Sequence, residues 1–251
     1  MAVPPSSDPA VRRSLAIYYG DPARDRLMDA LHARFLRPGD LAFDVGAHVG
    51  DRVASFRRLG CRVVAVEPQP ALVAALGALY GADPAVALEA TAVGPEEGTL
   101  DLFVNADNPT VTTASPAFIA AADGAPGWEG QVWSETIAVP VTTLDALIGR
   151  HGRPAFVKID VEGFEAEVLA GLSSPVPALS FEFTTIQRDV AHRALDRLAA
   201  LGYARFDAAL GETQSLVHGA WVSRDAIGGW LDGLPPEANS GDVYALAGPA
   251  A

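Results

Sequence analysis

Residues 41–51 read Leu-Ala-Phe-Asp-Val-Gly-Ala-His-Val-Gly-Asp, and they contain the clearest structural signal in the sequence. The apolar run stops at Gly46, which predicts a buried strand followed by a tight turn, and a helix is expected to begin near Gly50. Downstream, residues 63–66 form a second apolar run, which ends at Glu67. A buried strand, a glycine turn, a helix and a second strand that ends in an acid are typical of nucleotide-binding α/β folds.

Beyond this unit, strand-like runs continue to alternate with helical patterns, which predicts a doubly wound parallel sheet. The third strand is predicted at residues 86–93, and a long insertion at 99–141 follows it. Its two strand-like arms are expected to pair with each other. They enclose a loop at 105–134, rich in Gly, Pro, Thr and Ala. A loop of this length is usually functional or disordered, and we expect it to cover the substrate.

The bulk composition suits an ordinary globular enzyme, with 49% apolar and 20% charged residues among 251. We predict one domain over residues 1–251. The net charge of -13 argues against a nucleic-acid partner, because phosphate binding needs a basic face. The single cysteine, Cys61, fits a reducing cytoplasm. No apolar run approaches the ~18 residues that a membrane span needs, so no membrane partner is expected.

Both ends of the chain carry further expectations. Residues 1–38 are predicted to form an N-terminal leader and helical lid, and the Pro- and Ser-rich residues 1–10 a frayed leader. Residues 18–22, with two tyrosines, are either a lid over the cofactor or a surface turn whose tyrosines pack on the domain. Near the C-terminus, Trp221 and Trp230 are expected to be exposed and are candidates for a homodimer interface.

The turn after the first strand does not fit a dinucleotide. A dinucleotide fingerprint has a glycine where this turn has His48, whose side chain would crowd a pyrophosphate. S-adenosylmethionine has no pyrophosphate, and we predict it as the cofactor. Asp44 would receive its ammonium group and Glu67 its ribose hydroxyls, although Glu67 could instead cap the next helix. The predicted cofactor-binding residues are Asp44, Gly46, Ala47, His48, Gly50, Asp51, Glu67, Pro68, Ala92 and Asp160.

A second cluster of charged residues follows a later apolar strand at 155–160. Asp160 and Glu162 stand at the end of this strand, and Glu182 lies in the neighbouring one. Because the carboxyl ends of parallel strands line the ligand crevice, we expect these acids at its mouth. Lys158 falls within the strand, where an unpaired ammonium would be costly. We therefore expect a buried ion pair with one of the acids rather than a catalytic lysine.

Three segments resemble the hallmarks of the FkbM-type methyltransferases: Asp-Val-Gly-Ala-His-Val-Gly at 44–50, Glu-Pro-Gln-Pro at 67–70 and Lys-Ile-Asp-Val-Glu-Gly at 158–163. The resemblance covers roughly residues 41–183. It implies a class I methyltransferase (Rossmann-like) fold with a seven-stranded, mostly parallel sheet. It also implies methylation of a hydroxyl oxygen, typically in natural products and glycans. The family usually has Asn at position 48, where this chain has His.

Methyl transfer to an alcohol needs a group that accepts the hydroxyl proton. The candidate catalytic residues for this step are, in order of preference, Asp160, Glu162, Glu182 and His48. The three acids could instead bind Mg²⁺ and hold a diol. We favour the version without metal, because acids at strand ends more often accept hydrogen bonds from substrate. N-methylation of a small molecule, which needs no strong base, is the alternative to O-methylation of a small hydroxylated acceptor.

Overall fold

The computed structural model describes residues 8–248. Its strands are β1 (Leu41–Val45), β2 (Arg62–Val66), β3 (Val86–Glu89), β4 (Ala92–Val93), β5 (Gly98–Val104), β6 (Glu135–Thr142), β7 (Phe156–Ile159), β8 (Ala178–Thr184), β9 (Tyr203–Leu210) and β10 (Ser240–Ala247). Its α-helices are α1 (Pro9–Tyr18), α2 (Pro22–His32), α3 (Asp51–Arg58), α4 (Pro70–Tyr80), α5 (Pro116–Ala122), α6 (Leu144–His151), α7 (Glu165–Ala170), α8 (Arg188–Ala200) and α9 (Arg224–Gly233). None of the helices within residues 8–248 combines the length and the apolar character that crossing a bilayer requires.

The main sheet has seven strands in the order β3-β2-β1-β7-β8-β10-β9. The first five run parallel, whereas β10 is antiparallel to both β8 and β9. The chain leaves β1 toward β2 and β3 on one side and returns to β7 on the other side. In such sheets ligands bind at the carboxyl ends of the strands where the order reverses. The sheet confirms the predicted doubly wound α/β fold with seven mostly parallel strands.

The central strands are apolar on both faces because helices cover both sides of the sheet. Every residue of β1 and β7 is buried. Phe43 belongs to one core cluster, which includes residues of α8, and Ala42 belongs to the opposite one, which includes Phe56 of α3. This two-sided burial explains why the central strands read as continuous apolar runs in the sequence.

The predicted third strand is divided between two sheets. Residues 86–89 join the main sheet as β3, whereas Ala92 and Val93 form β4, which pairs in parallel with β6. Between them, the hydroxyl of Thr91 donates hydrogen bonds to the backbone carbonyl oxygens of Pro140 (2.8 Å) and Ala92 (3.0 Å). The prediction of one continuous strand over 86–93 was therefore wrong, because this hydroxyl ties the chain to the inserted arms.

The inserted arms pair as predicted: β5 and β6 are antiparallel and, with β4, form a second, three-stranded sheet. The loop between them is partly ordered by a 3₁₀ helix at Pro109–Val111 and by α5. It has a small apolar core of its own, in which the rings of Phe118 and Trp128 meet edge to face at 5.1 Å between centroids. The indole of Trp133 donates to the carbonyl oxygen of Val111 (2.8 Å). The insertion is thus a packed segment rather than a disordered loop.

Only part of the predicted N-terminal leader and helical lid lies within the described residues. Residues 1–7 of the predicted leader lie outside the described residues. Pro9 and Ala10, predicted as frayed, belong to α1, because the carboxylate of Asp8 accepts the backbone N–H of Ala10 (2.8 Å) and caps the helix. Val11 of α1 packs in an apolar cluster with Val49 of the turn after β1. The helix therefore lies beside the turn that was predicted to bind the cofactor.

The C-terminal tryptophans are not the exposed side chains that we expected. Both are half-buried within the chain. The ring of Trp221 packs edge to face with Phe35 at 6.2 Å between centroids, and Trp230 lies 5.9 Å from Phe183. Trp230 belongs to α9, a helix that was not predicted from the sequence. These contacts within the chain remove the observation on which the homodimer interface was predicted.

Candidate active site

A cavity of about 900 Å³, open to solvent, lies at the carboxyl ends of β1, β2 and β7. Main-sheet strand ends supply one wall, and the inserted segment supplies another. The lining residues include Asp44, Gly46, Ala47, His48, Asp51, Arg52, Glu67, Pro68, Gln69, Thr91, Ala92, Leu102, Thr110, Thr112, Ala114, Lys158, Asp160, Glu162, Phe164 and Glu212.

All the predicted site residues except two line this cavity. Gly50 is not among the lining residues; a Cβ there would come within 2.7 Å of Leu76 and Tyr80, so this glycine allows close packing of α3 on α4. Glu182 faces a separate, smaller cavity beside Gln187. It lies in β8, one strand farther from the point where the strand order reverses. Neither Gly50 nor Glu182 lines the main cavity, and their predicted roles stay predictions.

The turn after β1 depends on left-handed backbone conformations. Gly46 has φ of 81° and His48 has φ of 49°. A Cβ at Gly46 would lie 1.8 Å from the carbonyl oxygen of Asp160, so only glycine fits between the ends of β1 and β7. Gly46, which was predicted as a cofactor-binding residue, is required by this backbone contact. Its consequence for the site is that β1 and β7 present their last side chains to one cavity.

Glu67 is buried at the tip of β2, where its carboxylate organises the backbone. One oxygen accepts the backbone N–H of His48 and the other accepts that of Gln69, each at 2.9 Å. Gln69 is the N-cap residue of α4, so the alternative role of Glu67 at the start of the next helix is observed. Burial raises the pKa of Glu67 to about 7. Each carboxylate oxygen has a further lone pair that can accept a ligand hydroxyl.

Asp44, the other acid of the first motif, lies at the cavity with one oxygen unused. It is 2% exposed, and Oδ2 has no hydrogen-bond partner among residues 8–248. Burial, followed by the negative charge of Asp51, raises the pKa of Asp44 to about 8. A buried carboxylate oxygen without a donor is costly unless a ligand supplies one. This orphaned oxygen fits the ammonium group of a cationic ligand.

His48 lines the cavity as a neutral imidazole. Burial lowers its pKa to about 4. Its ring meets the ring of Tyr18 edge to face at 5.3 Å, and Nε2 lies 3.5 Å from the hydroxyl of Thr110. Tyr18 itself lines the cavity, whereas the hydroxyl of Tyr19 bonds to the carbonyl oxygen of Val49 (3.0 Å). Each of the two alternatives for residues 18–22 therefore describes one tyrosine: Tyr18 reaches the cavity, and Tyr19 packs on the domain.

Lys158 forms the buried ion pair that the sequence predicts. Its side chain is 2% exposed, and Nζ lies 2.9 Å from Asp160 Oδ2 and 2.9 Å from Asp242 Oδ1. Burial alone would raise the pKa of Asp160, but the ammonium of Lys158 outweighs burial and lowers it. Asp242 was not predicted. Its only sequence signal is an acid at the start of an apolar run in β10.

Asp160, Glu162 and Glu182 form a carboxylate cluster, in which one oxygen of each lies within 4.8 Å of the others. Glu162 is 7% exposed and lines the main cavity. Its Oε2 has no hydrogen-bond partner in the described chain, and its φ is 56°. Burial and then the charge of Asp160 raise its pKa well above the usual value. Its strained backbone is held by the Thr113 hydroxyl, which donates to the Glu162 carbonyl oxygen (2.6 Å).

A network of two arginines and two acids at the cavity was not predicted from the sequence. Arg52 donates to Asp51 (2.5 Å) and to Glu212 (2.9 Å), and Arg24 donates to the same two acids at 2.7 and 2.8 Å. Although burial alone would raise the pKa of Asp51, the guanidinium groups lower it to about 2. Glu212 is far from Arg52 in the sequence, and no local pattern predicts their contact.

The chain matches the family model described as Methyltransferase FkbM domain over residues 44–204, which is more than half of its length. It belongs to the FkbM methyltransferase family. The resemblance stated from the three motifs is therefore confirmed. The FkbM-family chain is a methyltransferase dependent on S-adenosylmethionine, and its sheet is the class I methyltransferase sheet that the resemblance implied.

The solved structures to which the chain is similar are distant in sequence. A TehB-like SAM-dependent methyltransferase from Corynebacterium glutamicum is 13% identical, with 94% of each chain covered and a TM-score of 0.46. Precorrin-6y C5,15-methyltransferase from Geobacter metallireducens is 13% identical, with 89% of this chain and 87% of that chain covered and a TM-score of 0.44. Aeropyrum pernix fibrillarin, in complex with natively bound S-adenosyl-L-methionine, is 12% identical, covering 84% and 67%, with a TM-score of 0.43. A search of curated proteins finds no match.

Proposed function

We propose that this FkbM-family enzyme methylates a hydroxyl oxygen of a small molecule, of natural-product or sugar type. The observation that carries the proposal is the buried carboxylate of Glu162, which lines the cavity and whose Oε2 has no partner in residues 8–248. An alcohol must lose a proton when it is methylated, and a carboxylate of raised pKa is suited to accept it. The family resemblance supports the same reaction.

The cavity residues fit S-adenosylmethionine. The orphaned Oδ2 of Asp44 would accept the ammonium group, and the free lone pairs of Glu67 would accept the ribose hydroxyls. Pro68 and Ala92 line the same cavity and would contact the apolar edge of the nucleoside. The acids also suit a ligand that carries a positive sulfonium. We therefore place the cofactor between the turn after β1 and the tip of β2.

Glu162 is a better candidate for the base than Asp160, which stands first in the sequence-based order. One carboxylate oxygen of Asp160 is already paired with Lys158 at 2.9 Å, and the pKa of Asp160 lies below its usual value. Glu182 belongs to the smaller cavity, and the low pKa of His48, about 4, makes its imidazole a weak base. Glu162 alone among the four combines a place at the cavity, an unpartnered oxygen and a raised pKa.

The remaining work of the protein is positioning and exclusion of water. The cofactor supplies a methyl group that its sulfonium already activates. Residues of the inserted segment, including Pro109, Thr112 and Ala114, form the wall that closes the cavity beside Glu162. Holding the acceptor in line and excluding water there lowers the barrier without further chemistry. We propose that the segment 105–134 covers the acceptor during this step.

N-methylation is a second candidate, favoured by the same carboxylate cluster. Three acids within 4.8 Å, with one lysine beside them, would attract an ammonium group as well as a hydroxyl. The two reactions give different products. Incubation with S-adenosylmethionine and a panel of hydroxylated and amine-bearing small molecules, followed by mass spectrometry and NMR, distinguishes an O-methyl from an N-methyl product. Methylation of amines alone would overturn the O-methyl proposal.

Glu67→Gln is expected to weaken binding of S-adenosylmethionine by about tenfold or more, because charge-assisted hydrogen bonds contribute about 1.5–3 kcal/mol each. Calorimetric titration measures the affinity. The control is Glu89→Gln, since Glu89 lies at the end of the neighbouring strand β3 and pairs instead with His151 (2.6 Å). Unchanged affinity in Glu67→Gln would remove Glu67 from the cofactor site.

Exhaustive chelation is expected to leave methyl transfer at full rate. Lys158 already places a positive charge 2.9 Å from Asp160, so a divalent ion at the same acids would meet electrostatic repulsion. The measurement compares initial rates with EDTA and with added Mg²⁺. A strict requirement for Mg²⁺ would instead assign Asp160, Glu162 and Glu182 as ligands, which offer the oxygens that this ion prefers.

We also propose a small hydroxylated molecule as the partner and the cytoplasm as the location. The net charge of -13 disfavours a nucleic-acid substrate. Cys61 is a buried free thiol, which suits a reducing compartment. A homodimer stays a prediction without structural support, since Trp221 and Trp230 pack within the chain. Sedimentation of the purified protein measures its oligomeric state.

A further inference from the structure

Two permanent cations line the cavity among the residues that the structure describes, Arg52 and Lys158. Lys158 is 2% exposed, and the two acids that hold it at 2.9 Å already balance its charge. Arg52 is held by Asp51, its neighbour in α3, and by Glu212, from the loop that follows β9. A ligand with a carboxylate would therefore find its cation at Arg52.

The position of Arg52 matches the methionyl end of the proposed cofactor. The ammonium and carboxylate groups of that arm share one carbon atom, so their receptors must be neighbours. Asp44, whose orphaned oxygen awaits an ammonium, lines the same cavity as Arg52 and Asp51, and the charges of both residues shift its pKa. In addition, α3 begins at Asp51 after Gly50, which offers no side-chain cap. The positive end of this helix also favours a carboxylate.

Glu212 is the partner of Arg52 that can leave. Its side chain is 49% exposed, whereas that of Asp51 is 9% exposed. In the present arrangement Arg24 and Arg52 balance Asp51 and Glu212. A ligand carboxylate would add an uncompensated negative charge, and departure of Glu212 into water restores the balance. The ligand carboxylate would replace Glu212 as a partner of Arg52, whose side chain is 10% exposed, so no buried charge is left unpaired by the exchange.

We propose that Arg52, supported by Arg24, binds the methionyl carboxylate of S-adenosylmethionine, and that Glu212 occupies this position without cofactor and is displaced on binding. The inference rests on the proposed placement of the cofactor. The loop at 211–223 would then take part in cofactor entry, because the carboxylate of Glu212 competes with that of the ligand for the guanidinium of Arg52.

The test compares two ligands by calorimetry with the full chain. S-adenosylhomocysteine has the amino-acid arm, whereas 5′-methylthioadenosine lacks it. Arg52→Gln is expected to weaken the affinity for S-adenosylhomocysteine by about tenfold to a hundredfold. It should change the affinity for 5′-methylthioadenosine by less than about twofold. Glu212→Gln is expected to tighten S-adenosylhomocysteine by about two- to fivefold, with 5′-methylthioadenosine unchanged. The control Arg57→Gln, on the same helix but paired with Asp83 (2.8 Å), should change neither affinity.

The outcomes separate the parts of the inference. Equal weakening of both ligands by Arg52→Gln would assign Arg52 a structural role and overturn the proposal. Weaker S-adenosylhomocysteine binding in Glu212→Gln would show that Glu212 positions Arg52 rather than competing with the ligand. Glu212 is half-exposed on a loop, so this second variant tests the exchange even if Arg52→Gln folds poorly. Failure of the unmodified chain to bind either ligand would overturn the cofactor placement itself.

Discussion

Glu162→Gln is expected to lower kcat by about 10²–10⁴-fold while leaving the affinity for S-adenosylmethionine within about twofold, because a positioned general base contributes a factor of this size. The amide keeps the shape of the side chain but cannot accept the hydroxyl proton. Oε2 of Glu162 has no other partner among the described residues, so the substitution breaks no hydrogen bond that holds the fold. Single-turnover rates with saturating cofactor measure the chemical step, and titration measures binding.

The pH dependence of kcat provides a second test of Glu162 as the base. Burial and the charge of Asp160 keep the Glu162 carboxyl protonated above its usual pKa. A base acts only when ionised, so kcat should rise with pH through the pKa of Glu162 in the complex. A cation in the cavity lowers that pKa and thereby makes the base available nearer neutral pH. The rising limb should be absent in Glu162→Gln.

Glu165→Gln is the matched control. Glu165 is 2% exposed, lies three residues from Glu162 and has a pKa raised to about 7 by burial. Its carboxylate accepts the backbone N–H groups of Val161 (3.1 Å) and Gly163 (3.2 Å) and does not line the main cavity. Its substitution should lower stability rather than the rate of the chemical step. Equal loss of kcat in both variants would show that Glu162 shapes the loop and is not the base.

The core of the fold was predictable because its sequence signal is local. Residues 41–45 and 156–159 are buried on both faces, so they read as apolar runs, and glycines mark the turns after them. The division of the third strand was not predictable. It depends on the hydroxyl of Thr91 and the carbonyl oxygen of Pro140, which are 49 residues apart in the sequence. A threonine inside an apolar run gives no indication of such a partner.

The same distinction applies to the site. Asp44, Glu67 and Asp160 follow strands, and the rule for parallel sheets places strand ends together. Glu182 obeys the same rule: one of its oxygens lies within 4.8 Å of oxygens of Asp160 and Glu162, although its side chain lines a smaller neighbouring cavity. The contact of Arg52 with Glu212 spans 160 residues. Such contacts depend on how loops close over the sheet, which no local pattern encodes.

Gly46→Ala is expected to destabilise the fold by about 4 kcal/mol or more, which is large for a single substitution. Two effects combine at this position. A side chain at φ of 81° costs about 1–2 kcal/mol, and the new Cβ would lie 1.8 Å from the Asp160 carbonyl oxygen. Since both atoms belong to the backbone framework of the sheet, neither can move without separating the ends of β1 and β7. The free energy of unfolding in urea measures the loss.

Two other glycines separate the conformational cost from the steric one. Gly39 has φ of 90° with nothing within 4 Å of the position of a Cβ in the described chain, and Gly60 has φ of 81° with Pro38 at 3.3 Å. Gly39→Ala should therefore lose about 1–2 kcal/mol, which is the conformational part alone. Gly60→Ala should lose slightly more and Gly46→Ala much more. Similar losses at all three positions would mean that the close contact of Gly46 with Asp160 does not hold the two strand ends together.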